Sequence, residues 1–197
     1  MAEKKVYEIM HMNRRVARIN DSGQCKIYYK SFMPYNLYLE ESDDIDTLVN
    51  NITNFNYWCA TRILTLDRTY AKEILNSIGM LQAVTDKERA QIALSYRCAS
   101  LTDVFWVKFR KEKSSFRNVN LYENHLDNTF IDIALRGKQY TVQNEYLARD
   151  LSTNGCFPKA WQRNHDGFRL LKDGGSDAVE RELLASQISR CFDVSQV

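Results

Sequence analysis

The feature that most restricts the fold is a change of hydrophobic period between Tyr29 and Ile45. Before it, Val6 to His11 and Val16 to Ile19 flank Asn13-Arg14-Arg15, and Lys26 to Tyr29 follows Asp21-Ser22-Gly23. Alternating runs joined by turn formers spell a short antiparallel meander. From Ile45 the apolar residues recur at Leu48, Val49, Ile52, Phe55, Cys59 and Ile63, the i, i+3, i+4, i+7 spacing of an amphipathic helix that Asp43 or Asp44 is placed to cap. Strands followed by helices in separate stretches give an α+β chain.

The helical pattern continues. A second helix is expected from Thr69 to Ile78, with Asp67 before it and Gly79 as its stop. A third opens on Thr85-Asp86-Lys87-Glu88, the spacing of a capping box, and carries Ile92, Ala93 and Tyr96. Val104 to Phe109 then alternates as a strand, and Asn128 to Arg136 reads as a short helix ended by Gly137. Trp161 to Arg163 and Phe168 to Lys172 pair around Asn164-His165-Asp166-Gly167, and a last helix runs from Asp177 to Phe192. The expected core includes Leu48, Ile52, Phe55, Trp58, Ile74 and Ile92. Hairpin, helix and chain end follow one another so closely that the sequence reads as interrupted: the hairpin must dock on the preceding unit or await further chain.

Composition bounds function more loosely. The 197 residues carry 27 Lys+Arg against 25 Asp+Glu, so any basic function must be local, and nucleic acid is not expected as a partner. The one basic run, Lys108 to Lys113 with Arg117 nearby, reads first as a solvated strand end and loop and second as a phosphate or nucleic-acid surface. No apolar run is long enough to span a bilayer and no signal-peptide core follows Met1, so a cytoplasmic protein without a membrane partner is expected. Cys25, Cys59, Cys98, Cys156 and Cys191 contain no C-x-x-C pair and are read as reduced, mostly buried thiols. His11, His125 and His165 lack neighbours at ligand spacing, so no metal site is expected.

The chemistry-bearing residues gather near the carboxy terminus. A period of two puts Lys172 on the face of Phe168 and Leu170, expected to point inward. Either its ammonium snorkels to water at the strand end, or it meets an anion. Ten residues on, Glu182 lies among Ala178, Ala185, Ser186 and Ser189, a small-residue face that lets a helix approach a sheet, whereas Glu180, three after Asp177, fits the first helical turn. Ser152-Thr153-Asn154-Gly155 precedes the hairpin, where it serves as a plain turn or as a phosphate-covering loop. Cys156 beside it is read as an incidental thiol before a reactive one.

Phe157-Pro158-Lys159-Ala160-Trp161, the strand ending Leu170-Leu171-Lys172-Asp173-Gly174-Gly175, and Glu182-Leu183-Leu184-Ala185-Ser186 resemble the amino-terminal lobe of compact HipA-like serine/threonine kinases. Ser95 to Val107 and Val119 to Asn124 resemble the same family, which extends the likeness over roughly Ser95 to Val194. The resemblance implies that Ser152, Thr153, Asn154 and Gly155 cover ATP phosphates, that Lys172 contacts them, and that Glu182 orients Lys172. ATP and Mg²⁺ are the cofactors of a complete kinase, and weak or absent nucleotide binding is expected of this chain.

The expected architecture is α+β: an amino-terminal meander and helical accessory region over residues 1–93, then over 94–197 the hairpin and helix of a kinase-like amino-terminal lobe, with the second lobe absent. No catalytic residue is assigned. His125-Leu126-Asp127 has Asp132 where a catalytic loop needs Asn, and it precedes Lys172, which reverses the kinase order. Asp166-Gly167-Phe168 sits on a hairpin turn that explains its Asp-Gly. The expected partner is a carboxy-terminal kinase lobe or a separate protein. The alternative function is a non-enzymatic interaction module that binds a kinase, an antitoxin, or a phage or host factor.

Overall fold

Alternation at the amino terminus produces three antiparallel strands, β1 (Val6–His11), β2 (Arg14–Asn20) and β3 (Cys25–Ile27). The computed structural model describes residues 5–80, 84–124, 128–139, 151–153 and 155–192. Asp44 caps α1 (Ile45–Ala60), its carboxylate accepting from the Thr47 backbone N–H. The predicted capping box is present at α3 (Asp86–Ser95), where Thr85 and Glu88 satisfy each other's backbone N–H groups. Between them, α2 (Ala71–Ser77) starts later than its pattern predicts. Asp67 does not cap it; the position before the helix is Tyr70, held in the left-handed region at φ 64°.

The strand β4 (Phe105–Phe109) lies against β1, giving one antiparallel sheet of order β3-β2-β1-β4. After the short α4 (Phe116–Val119) and α5 (Asn128–Arg136), β5 (Lys159–Asn164) and β6 (Gly167–Lys172) form a separate hairpin. Gly167 takes φ +125° in its turn. The last helix is α6 (Gly175–Cys191). The described residues thus hold six α-helices and two antiparallel sheets, a mixed α+β arrangement.

One buried cluster spans both segments of the chain. Ile9, Ile19 and Val107 from the four-stranded sheet, Phe55 and Trp58 from α1, Ile74 from α2, Ile92 from α3, Ile133 from α5 and Ala160 from β5 all belong to it. Sheet and core therefore cross the 93/94 boundary. Leu48 and Ile52, expected in the core, are only half-buried. The buried position on that face of α1 is Asn51, whose amide donates to the carbonyls of Gly23 (3.0 Å) and Glu40 (2.8 Å) and accepts from the Glu40 N–H (2.9 Å). A fully bonded amide is stable inside, and here it ties the meander and the 33–40 segment to α1.

Gly23 makes that approach possible. It has φ +84°, and a Cβ there would fall 2.1 Å from the Leu48 carbonyl oxygen. Gly23→Ala is expected to lose about 2–4 kcal/mol, from left-handed backbone strain and the forced displacement together. Urea unfolding checks it, and an unchanged midpoint would show that the meander does not press on α1.

All five cysteines are free, but only Cys59 and Cys98 are buried; Cys156 and Cys191 are exposed, against expectation, because the loop and helix that carry them lie on the surface. Among the described residues, no helix is long and apolar enough to cross a membrane.

Candidate functional site

The site is built where β6 ends and α6 begins. Lys172, the last residue of β6, stands opposite Lys159, the first of β5. The Asp173 N–H donates to the Pro158 carbonyl at 2.9 Å and closes the hairpin's open end. Gly174 then lets the chain turn back: a Cβ there would lie 2.9 Å from Ala178 Cβ and 3.4 Å from the Phe157 ring. This brings α6 over the strand ends, and two turns along it Glu182 meets Lys172. Lys172 Nζ donates to Oε1 and Oε2 of Glu182 at 3.0 and 2.9 Å.

The inward placement expected from strand parity is not observed. The two side chains are 44% and 63% exposed, and no residue of α6 is buried. The small face of the helix approaches the hairpin, while Val179, Leu183, Leu184 and Ile188 remain largely in solvent. Parity fixes the face of the strand, but nothing closes over that face. An exposed ion pair of this kind is worth about 0–1 kcal/mol, so it does little for stability and yields readily to a stronger anion.

Beneath the pair lies an open cavity of about 410 Å³, lined by Phe157, Lys159, Lys172, Ala178, Glu182 and Ser186 among others. Lys159 is the residue that sequence reasoning missed. Burial, and then the positive charges of Arg68 and Lys172, lower its pKa from the usual lysine value. The only signal was its place at the head of a strand, beside a proline. Asp173 and Glu182 line the same cavity, so its two lysines are balanced by two carboxylates, and an anion would enter by displacing Glu182 from Lys172.

The loop before the hairpin is anchored more tightly than a free turn. Arg68 donates from Nη1 to Thr153 Oγ1 at 2.5 Å and from Nη2 to the Lys159 carbonyl. Ser152 and Ser100 share a hydroxyl hydrogen bond of 2.5 Å. Ser152 and Thr153 are therefore buried, with their hydroxyls turned toward the body of the chain. Asn154 lies outside the described residues. Gly155 is exposed, with φ +97°, and the position of a Cβ on it is 2.8 Å from Lys159 Nζ. Of the described loop residues, Gly155 is thus the one set beside a cavity cation. Cys156 donates Sγ–H to Asp67 Oδ2 at 3.2 Å, and this bond to a carboxylate pushes the thiol up from its usual pKa, away from a reactive thiolate.

No protein-family model, curated protein or solved structure matches this chain.

The remaining candidates have structural partners. Asp132 pairs with Arg136 at 2.5 Å and Lys138 at 2.9 Å, while His125-Leu126-Asp127 lies outside the described residues. Asp166 pairs with His165 and Arg169 on the hairpin turn. His11 packs between the rings of Phe32 and Phe105. Among the described residues, no group of three His, Cys, Asp or Glu side chains is placed to hold a metal ion.

Proposed function

We propose that the chain is the amino-terminal part of a HipA-like serine/threonine kinase, supplying the lobe that covers nucleotide phosphates, and that it is inactive without a carboxy-terminal catalytic lobe. The supporting observation is the contact of Lys172 with both oxygens of Glu182 above a cavity that also holds Lys159. A strand lysine held by a helix glutamate is how protein kinases keep an ammonium on the α- and β-phosphates. In this reading Lys172 contacts the phosphates of ATP and Glu182 orients it. The backbone around Gly155 covers them, while the buried Ser152 and Thr153 anchor that cover to Ser100 and Arg68. The lysines suit phosphates; Mg²⁺ and the catalytic aspartate are assigned to the second lobe, which supplies phosphoryl-transfer chemistry when present.

A second reading, a non-enzymatic interaction module, draws support from the exposed apolar residues of α6, which a partner of either kind would cover. Labelled-ATP assays separate the two. The isolated chain is expected to transfer no phosphate to itself or to a generic protein substrate. The same chain joined to a carboxy-terminal catalytic lobe is expected to do so. Robust transfer by the isolated chain would overturn the incomplete-kinase reading, and nucleotide-independent partner binding by the joined protein would favour the module.

A further inference from the structure

The four-stranded sheet has a second face, turned away from the core and covered at its Met10–Trp106 end, whose open part the kinase reading does not use. Its register is informative. Arg18 stands opposite both Lys26 on β3 and Glu8 on β1, and Glu8 stands opposite Lys108 on β4. Directly opposed residues share a face, so Lys26, Arg18, Glu8 and Lys108 form one row across all four strands. Ile9, Ile19 and Val107, their sequence neighbours, are fully buried on the other side.

A β-bulge adds a further cation. Ile9 pairs with Ala17 but Met10 pairs with Arg15, leaving Val16 as the extra residue in β2. The bulge shifts parity by one, so Arg15 joins Arg18 on the outer face although the two are three residues apart. Arg15 then donates to Glu8 at 2.6 Å and lies over the Tyr28 ring at 4.5 Å. Arg110, just past β4, completes a groove of about 440 Å³ with Glu8, Arg15 and Arg18. Five cations thus surround Glu8, which is the one acidic residue in the four strands and already has a partner. With a net charge of only +2 on the whole chain, positive charge is concentrated on this face and the remainder is slightly negative.

We infer that the open, charged part of this outer face is a docking surface for double-stranded nucleic acid, held through its phosphates. Three arginines present planar forks suited to phosphate oxygens. The large apolar pair on this face, Met10 and Trp106, is already buried, so no exposed apolar anchor is offered to a protein partner and no apolar wedge to a membrane. Single strands are held mainly by stacking on aromatic rings, and of the rings here Trp106 is buried and Tyr28 is already covered by Arg15. Contacts limited to the backbone give binding without sequence preference and with strong salt dependence. The surface shares no residue with the Lys172 cavity and stands whether or not the chain is part of a kinase.

The test is fluorescence anisotropy of a labelled 20-base-pair duplex with the full chain over a salt series. The triple variant Arg18→Glu, Lys26→Glu, Lys108→Glu is expected to weaken binding about 30-fold or more at low salt, from the salt-linked contribution of each phosphate contact. The neutral variant Arg18→Gln, Lys26→Gln, Lys108→Gln is expected to flatten the salt slope by about one for each cation removed, and it serves where charge reversal impairs folding, as monitored by circular dichroism. Unchanged duplex binding by the folded neutral variant would overturn the assignment. So would binding only to poly-glutamate, only to phosphatidylserine vesicles, or more tightly to a single strand than to the duplex.

Discussion

Asp103→Ala is expected to destabilise the fold by about 3 kcal/mol, the cost of leaving the buried Arg62 cation without its half-buried carboxylate. Arg62 follows α1 and is nearly buried. It donates from Nη1 and Nη2 to the two carboxylate oxygens of Asp103 at 2.8 and 2.7 Å, in a bidentate pair. The same guanidinium donates to the carbonyls of Cys98 (2.5 Å) and Phe105 (3.2 Å) and lies 4.9 Å from the Trp58 ring centroid. Burial alone would lower its pKa, but the hydrogen bond and charge of Asp103 more than offset this and raise it. In the Asp103→Ala variant that offset is gone while the cation stays buried. Arg62→Leu removes the cation but orphans two carbonyls, each costing about 1–3 kcal/mol. The double variant should therefore lose less than the sum of the singles, and a double-mutant cycle by urea unfolding measures the coupling. An additive cycle would mean that the pair does not join α1 to the segment leading into β4.

Local signals in the sequence were sufficient where a few neighbouring residues decide the structure. The Thr85 capping box, the Asp44 cap and the turn between β5 and β6 form because their partners lie within four residues in the chain. Long-range closure was not legible. The place of β4 beside β1 depends on pairing residues about a hundred positions apart, and no periodicity encodes that. The bulge at Val16 is decided by cross-strand register, so parity counted along β2 alone separates Arg15 from Arg18 instead of uniting them. Asn51 sits on the inward stripe of α1, where a polar residue breaks the pattern, and its burial makes sense only with the Gly23 and Glu40 carbonyls beside it. For the candidate site, Lys172 and Glu182 were readable because strand and helix phases fix their faces. Lys159 and Arg68 were not, since their roles come from a loop anchored across the fold.

In a protein carrying a carboxy-terminal lobe, Lys172→Ala is expected to reduce ATP-dependent phosphotransfer by about 10²-fold or more, the scale of losing one preorganised charge contact to a transferring phosphate. The fold should be preserved. Lys172 is 44% exposed and its bond to Glu182 is a surface ion pair, so unfolding free energy is expected to change by less than about 1 kcal/mol. That contrast between a large kinetic and a small structural effect is what distinguishes a phosphate contact from a strut. Glu182→Gln makes the discrimination sharper: its amide can still accept from the ammonium but no longer holds it by charge, so activity should fall less than with Lys172→Ala. Lys159 supplies the internal control. It shares the cavity, and its pKa is lowered by burial and by the charges of Arg68 and Lys172. If Lys172→Ala is fully active and normally folded while Lys159→Ala is inactive, the phosphate contact belongs to β5 and the Lys172–Glu182 pair is only a clasp between β6 and α6.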